Sequence, residues 1–263
     1  MSTMKRVLAL LGAAALTATL GAVPADADHA HPPGPVHAGS EYGWGRAPVN
    51  YTFVGPLDRS HWKVRGNVGN QHGMLTLLAG RHGTVVATEQ TKGRAVGRWE
   101  TRIRHRQYVH RNTPYRVLIE LVPAGDRKGY CGARNIALTS YTPGVNKAAH
   151  YINTRPDNRF VARKGLNLSD NQWHTFAVEV TRKRISWFVD SHVVSTEKRK
   201  DALSGVPFAV RYTMEAKPGK RMNESRIQMD WLRYWTLKNA NKKSTAAPRP
   251  ERKTYRDACT GQR

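Results

Sequence analysis

The chain has 263 residues, with 43 Lys and Arg against 19 Asp and Glu, a formal charge of +24 and a pI near 10.6. That length suits one large domain or two small ones, and seven Trp with ten Tyr exclude a disordered chain. Two cysteines exclude a disulfide scaffold and a Cys-rich zinc site.

Lys5 and Arg6 precede an uninterrupted apolar and small-residue run, Val7 to Val23, and Ala25-Asp26-Ala27 follows as a small-x-small cleavage site. This predicts a secretory signal peptide over 1–27 rather than a membrane anchor, because the run is short and Ala-rich. Nothing after it is long and apolar enough to span a membrane. Cleavage would remove Lys5, Arg6 and Asp26 and leave 41 basic against 18 acidic residues. A secreted, extracellular protein is expected. There Cys131 and Cys259 are candidates for a disulfide that clips the tail to the body; two free thiols are the alternative.

Residues 28–39 (DHAHPPGPVHAG) read as a Pro/His linker. From 40 to 237 short apolar runs alternate with Gly, Pro, Asn and Asp. Strands are expected at 73–79, 84–88, 98–106, 115–122 and 207–214, which points to one β-sandwich or jelly-roll domain. Phe176, Val178 and Val180 alternate with Thr175, Ala177 and Glu179; Ile185, Trp187 and Val189 alternate with Ser186, Phe188 and Asp190. Two strands around the basic turn Thr181–Arg184 follow. Residues 227–235 form a closing aromatic-rich strand. Residues 238–263, with eight Lys/Arg, read as a basic tail.

Five blocks resemble glycoside hydrolase family 16, secreted β-glucanase-like enzymes. They are Gly55–Trp62, Gly97-Arg-Trp-Glu-Thr-Arg-Ile-Arg104, Leu121–Pro123, the Trp173–Val194 hairpin and Met229–Tyr234. The resemblance covers about 50–237. It implies an all-β, concanavalin A-like jelly-roll sandwich of two antiparallel sheets. It also implies retaining chemistry on a strand of form E-x-D-x-x-E. One Glu is then nucleophile, the other acid/base, with carboxyls about 5–5.5 Å apart. Positions one and three share a strand face, and position six joins them only if the strand bulges.

The matching stretch here is Gly132–Leu138. Ala133 stands at the nucleophile position and Asn135 at the middle Asp. Leu138, or Ala137 without a bulge, stands at the acid/base position. Residues 127–156 contain no Asp or Glu, so the expected catalytic strand has no carboxylate. No catalytic residue is assigned, and the protein is expected to be a pseudoenzyme. Glu120 lies on the face opposite Val117, Ile119 and Leu121 and is expected at the cleft, paired with Arg134, Asn135 or Arg116. Glu179, Asp190 and Asp230 read as structural.

Candidate substrate contacts are Glu120, Arg134, Asn135, Tyr141, His150, Arg102 and Arg104; Tyr151, Tyr42 and Trp44 are weaker ones. Arg98, Glu100, Arg102, Arg104 and Arg106 share one face of their strand, a cationic stripe suited to polyanions. No motif marks a dedicated nucleic-acid site. No cofactor or metal site is indicated, although the resemblance allows a structural calcium. A monomer is expected. Three functions follow. The first is a non-catalytic binder of a cell-wall or acidic polysaccharide. The second is an active glycosidase or uronate lyase with non-standard residues. The third is a general polyanion or surface-adhesion protein.

Overall fold

The computed structural model describes residues 37–125, 134–154 and 158–255. The signal-peptide reading, most of the linker, Ala133, Cys131 and Cys259 lie outside them.

A one-turn helix α1 (Ala38–Glu41) opens the described chain. Strands follow in order: β1 (Val49–Tyr51), β2 (Trp62–Arg65), β3 (Asn67–Gln71), β4 (Met74–Ala79), β5 (Val85–Glu89) and β6 (Gly97–Gln107). Next come β7 (Arg116–Pro123), β8 (Ile136–Tyr141), β9 (Lys147–Thr154), β10 (Asn158–Gly165), β11 (His174–Val180) and β12 (Ile185–Val189). The last are β13 (His192–Glu197), β14 (Phe208–Glu215), β15 (Ser225–Trp235) and β16 (Glu251–Thr254).

They form two antiparallel eight-stranded sheets. Sheet A runs β13-β12-β11-β6-β15-β4-β3, with β1 also on β15; sheet B runs β16-β10-β9-β8-β7-β14-β5-β2. The fold is the concanavalin A-like jelly-roll sandwich expected from the sequence. Its cause is the two-residue period. Val117, Ile119 and Leu121 of β7, Phe176, Val178 and Val180 of β11, and Phe208, Val210 and Tyr212 of β14 all enter one buried core between the sheets. Gly97 opens β6 because the Tyr234 ring lies where its Cβ would be. The β12–β13 turn places Asp190 and Ser191 at φ 46° and 69°, as a two-residue hairpin turn requires. The Asp190 carboxylate then accepts from Thr175 N (2.9 Å) and pairs with His174 Nδ1 (2.7 Å).

Both chain-end segments differ from the sequence reading. His37, Ala38 and Gly39, read as linker, dock on Glu100: Oε1 accepts from Ala38 N (2.7 Å) and Oε2 from Gly39 N (3.1 Å). Tyr42 and Trp44 pack with Ala177, Phe188 and Trp235 in a second apolar cluster. Residues 238–255, read as tail, also pack. Asn241 binds Trp44 Nε1 (2.7 Å) and Glu179 (2.8 Å), and β16 pairs with β10. Backbone pairing and scattered polar contacts hold this segment, and neither leaves an apolar period in the sequence.

Candidate functional site

Glu120 and the stretch entering β8 stand on the face of sheet B that looks away from the core. Strand register defines that face. One row crosses it through Lys63, Thr88, Arg211, Glu120, Ala137, Tyr151, Val161 and Glu251. A second runs through Arg65, Val86, Thr213, Leu118, Ser140, Ala149 and Arg163. Over one half of these rows lies an open groove of about 430 Å³, lined by Lys63, Arg65, Thr88, Arg211, Thr213 and Glu215 among others. Over the other half, Leu118, Ala137, Tyr151 and Val161 form a buried apolar patch.

β8 bulges, but one step too late to bring Leu138 to the outer face as the spacing argument allowed. Ile119 pairs with Thr139 but Glu120 with Ala137, so Leu138 is the extra residue. Alternation puts Ile136 and Leu138 in the core and Ala137 on the outer face; the bulge then brings Ser140 outward and Tyr141 inward. The carbonyls around it are held: Trp187 Nε1 donates to Ala137 O (3.0 Å), and His150 Nδ1 to Leu138 O (2.5 Å). The described outward positions of β8 and its approach are thus Asn135, Ala137 and Ser140.

Glu120 reaches this face and is 3% exposed. Arg211 donates to Oε2 at 2.7 Å, and Asn135 Nδ2 to Oε1 at 3.3 Å. Asn135 was among its expected partners. Arg211 was missed, although Ala209, Arg211 and Thr213 alternate visibly with Val210 and Tyr212. What the sequence lacks is the fact that β14 lies beside β7. Arg116 pairs instead with Glu215 (2.6 Å). Arg134 lies at φ 67°, donates from its backbone to Asn153 O (2.6 Å) and from its guanidinium to Ser204 O (3.2 Å).

Four other candidates stand elsewhere. Tyr141 and His150 point between the sheets, because the bulge and the alternation of β9 turn them inward. Tyr141 Oη meets His105 Nδ1 at 3.2 Å, and burial lowers the His150 pKa to about 4. Arg102 and Arg104 lie on the outer face of sheet A, across the molecule from the groove, because Trp99 and Ile103 take the core side of β6. Tyr42 and Trp44 are buried on that same outer face. Tyr151 does lie on the outer face of sheet B, but in the buried apolar patch, with Arg159 over its ring at 4.5 Å. Burial first, then the Glu120 charge, push its pKa up.

The structural reading of three acidic residues agrees with their partners. Glu179 takes Arg98 (2.7 Å) and Arg184 (2.7 Å), Asp230 takes Arg102 (3.0 Å), and Asp190 holds its hairpin. Among the described residues no group of three or more His, Cys, Asp or Glu is placed to hold a metal ion. None of their helices is long and apolar enough to cross a membrane.

No family model matches the chain, and no curated protein sequence matches it. Solved structures do. The fold is similar to an endo-acting O-glycanase of the human gut microbiota that initiates mucin breakdown (TM-score 0.60, 16% identity, 73% of this chain and 99% of that one). It is similar to the laminarinase of Rhodothermus marinus (0.60, 14%, 72% and 96%). It is also similar to SCLam, a non-specific endo-β-1,3(4)-glucanase from family GH16 (0.60, 14%, 77% and 94%). At these identities the likeness is one of fold: this chain carries the jelly-roll sandwich that those glycan-degrading enzymes carry.

Proposed function

We propose that this protein is a secreted, non-catalytic carbohydrate binder that takes an acidic or wall-associated polysaccharide along the outer face of sheet B. One observation carries the reading. Where a retaining glycosidase needs two carboxylates about 5–5.5 Å apart, the described outward positions of β8 and its approach are Asn135, Ala137 and Ser140. Their nearest carboxylate, Glu120, is held by Arg211 and Asn135. One carboxylate cannot serve as both nucleophile and acid/base within a retaining cycle.

The charge of the groove supports an acidic ligand. Lys63 and Arg65 stand exposed on its rim. Arg211 lines the groove and is matched by Glu120, while Glu215, also in the lining, is matched by Arg116. The uronate-lyase alternative has less support. Such a reaction needs a Tyr or His to move a proton; Tyr141 and His150 face the core, and burial and Glu120 hold Tyr151 protonated.

The test measures binding and reducing-sugar release together, over neutral, uronate and sulfated polysaccharides. Binding without release supports the proposal. Release that persists through repurification overturns it, and unsaturated-uronate absorbance selects the lyase. The adhesion reading rests on the charge of +24; affinity that vanishes for every polymer as salt rises selects it.

A further inference from the structure

Sheet A carries a cationic site of its own on the face opposite the groove. Arg102, Arg104 and Arg106 project from β6, and β15 runs beside it. Gln228 pairs directly with Arg104, and Arg226 directly with Arg106. Arg102 is neutralised by Asp230, and Arg81 at the margin pairs with Glu224 (2.9 Å). Arg104, Arg106 and Arg226 make no ion pair among the described residues.

Like charges directly opposite on neighbouring strands destabilise a sheet, yet Arg106 and Arg226 stand in that relation. Burial, then the charges of Arg226 and Arg102, lower the Arg104 pKa. Arg226 Nε is buried with no hydrogen-bond partner. The guanidiniums are nevertheless held in place. Arg104 Nε donates to Gln228 Oε1 (3.0 Å), and Gln228 Nε2 donates to Thr76 Oγ1 (3.3 Å). Arg102 and Arg104 both lie over the Trp173 ring, at 4.7 and 4.6 Å. Arg106 and Arg226 both lie over Tyr108, at 5.4 and 5.9 Å. Three guanidiniums without an ion pair, laid on two aromatic rings, form an anion site whose internal repulsion a polyanion would relieve.

The geometry assigns to the outer face of sheet A a second binding site, for a linear polysaccharide bearing sulfate or carboxylate groups, formed by Arg104, Arg106 and Arg226 on Trp173 and Tyr108. A single-stranded nucleic acid fits less well. Such ligands stack bases on open aromatic faces, and here both rings already carry guanidiniums. The site shares no residue with the groove, so it stands or falls separately. With both occupied, one molecule would bridge two polymer chains.

The experiment titrates the full chain with a heparin-derived oligosaccharide, an oligogalacturonate and a short duplex or single-stranded DNA, at low and physiological salt. In R106Q/R226Q, affinity for the oligosaccharides is expected to fall about tenfold, and the slope of log K against log salt by about two. The melting midpoint should hold or rise, because the opposed charges are gone. K198Q/K200Q removes the same charge from exposed positions elsewhere and is expected to cost about twofold at most. Equal losses in the two variants would mean diffuse charge binding and overturn the site. So would a loss in K63Q/R65Q with none in R106Q/R226Q, which leaves the groove reading intact. DNA bound more tightly than either oligosaccharide, and lost in R106Q/R226Q, would replace the glycan with a nucleic acid.

Discussion

Glu120→Gln separates structure from chemistry at the groove. At 2.7 Å from Arg211, the pair has a gross attraction of roughly 6 kcal/mol at an effective dielectric near 20. Desolvation of the carboxylate offsets much of it. Breaking a fully buried pair by removing one partner costs about 3–5 kcal/mol. Here the Arg211 side chain is 35% exposed and can rehydrate, so about 2 kcal/mol is expected, or a fall of about 4–8 °C in Tm. Urea denaturation reads the first quantity and calorimetry the second. E120L/R211M should recover part of the loss, because no unpaired charge then remains. Glycan binding to the Gln variant should persist, and background sugar release should not change. A stability change under about 0.5 kcal/mol would refute the structural role of the pair. Sugar release in the wild type that disappears in a folded Gln variant would refute the non-catalytic reading.

Further predictions follow from the same geometry. K63Q/R65Q should weaken binding of uronate and sulfated oligosaccharides about tenfold at low salt and leave neutral glucans unaffected, as read by titration calorimetry. Ser191→Gly should stabilise the β12–β13 hairpin by about 1 kcal/mol in urea melts, because φ 69° costs a non-glycine residue about that much. Burial lowers the His105 and His150 pKa values to about 4, so the unfolded chain binds these protons first. Stability should be full above about pH 6.5 and fall as pH drops toward 4, by roughly 2–3 kcal/mol per histidine. His150→Gln should remove one share of that slope. Burial pulls the His174 pKa down, but the hydrogen bond to Asp190 and its charge outweigh burial and raise it. His174 therefore adds stability at low pH that is lost as pH rises through its folded pKa, a partial offset.

The sandwich was legible because it is written locally. Alternation in β7, β11, β12 and β14 marks one buried face per strand whatever the strands pair with. The absence of acidic residues from 127–156 was legible for the same reason. So was the side of the sheet on which Glu120 stands, since Val117, Ile119 and Leu121 claim the other. The candidate site was less legible. Tyr141 was a plausible sugar contact until the bulge after Ala137 shifted the register of β8, and His150 until the alternation of β9 turned it inward.

The amino-acid sequence alone determined which residues share a face along each strand, because side-chain direction repeats every two residues. It could not determine which strands neighbour one another or which sheet each joins. Those choices put Arg211 against Glu120, carried Arg102 and Arg104 to the side away from the groove, and set Arg226 against Arg106. They also brought 238–255 back onto the body. Pairing between strands far apart in the chain is a property of the assembled backbone, and only the tertiary structure decides it.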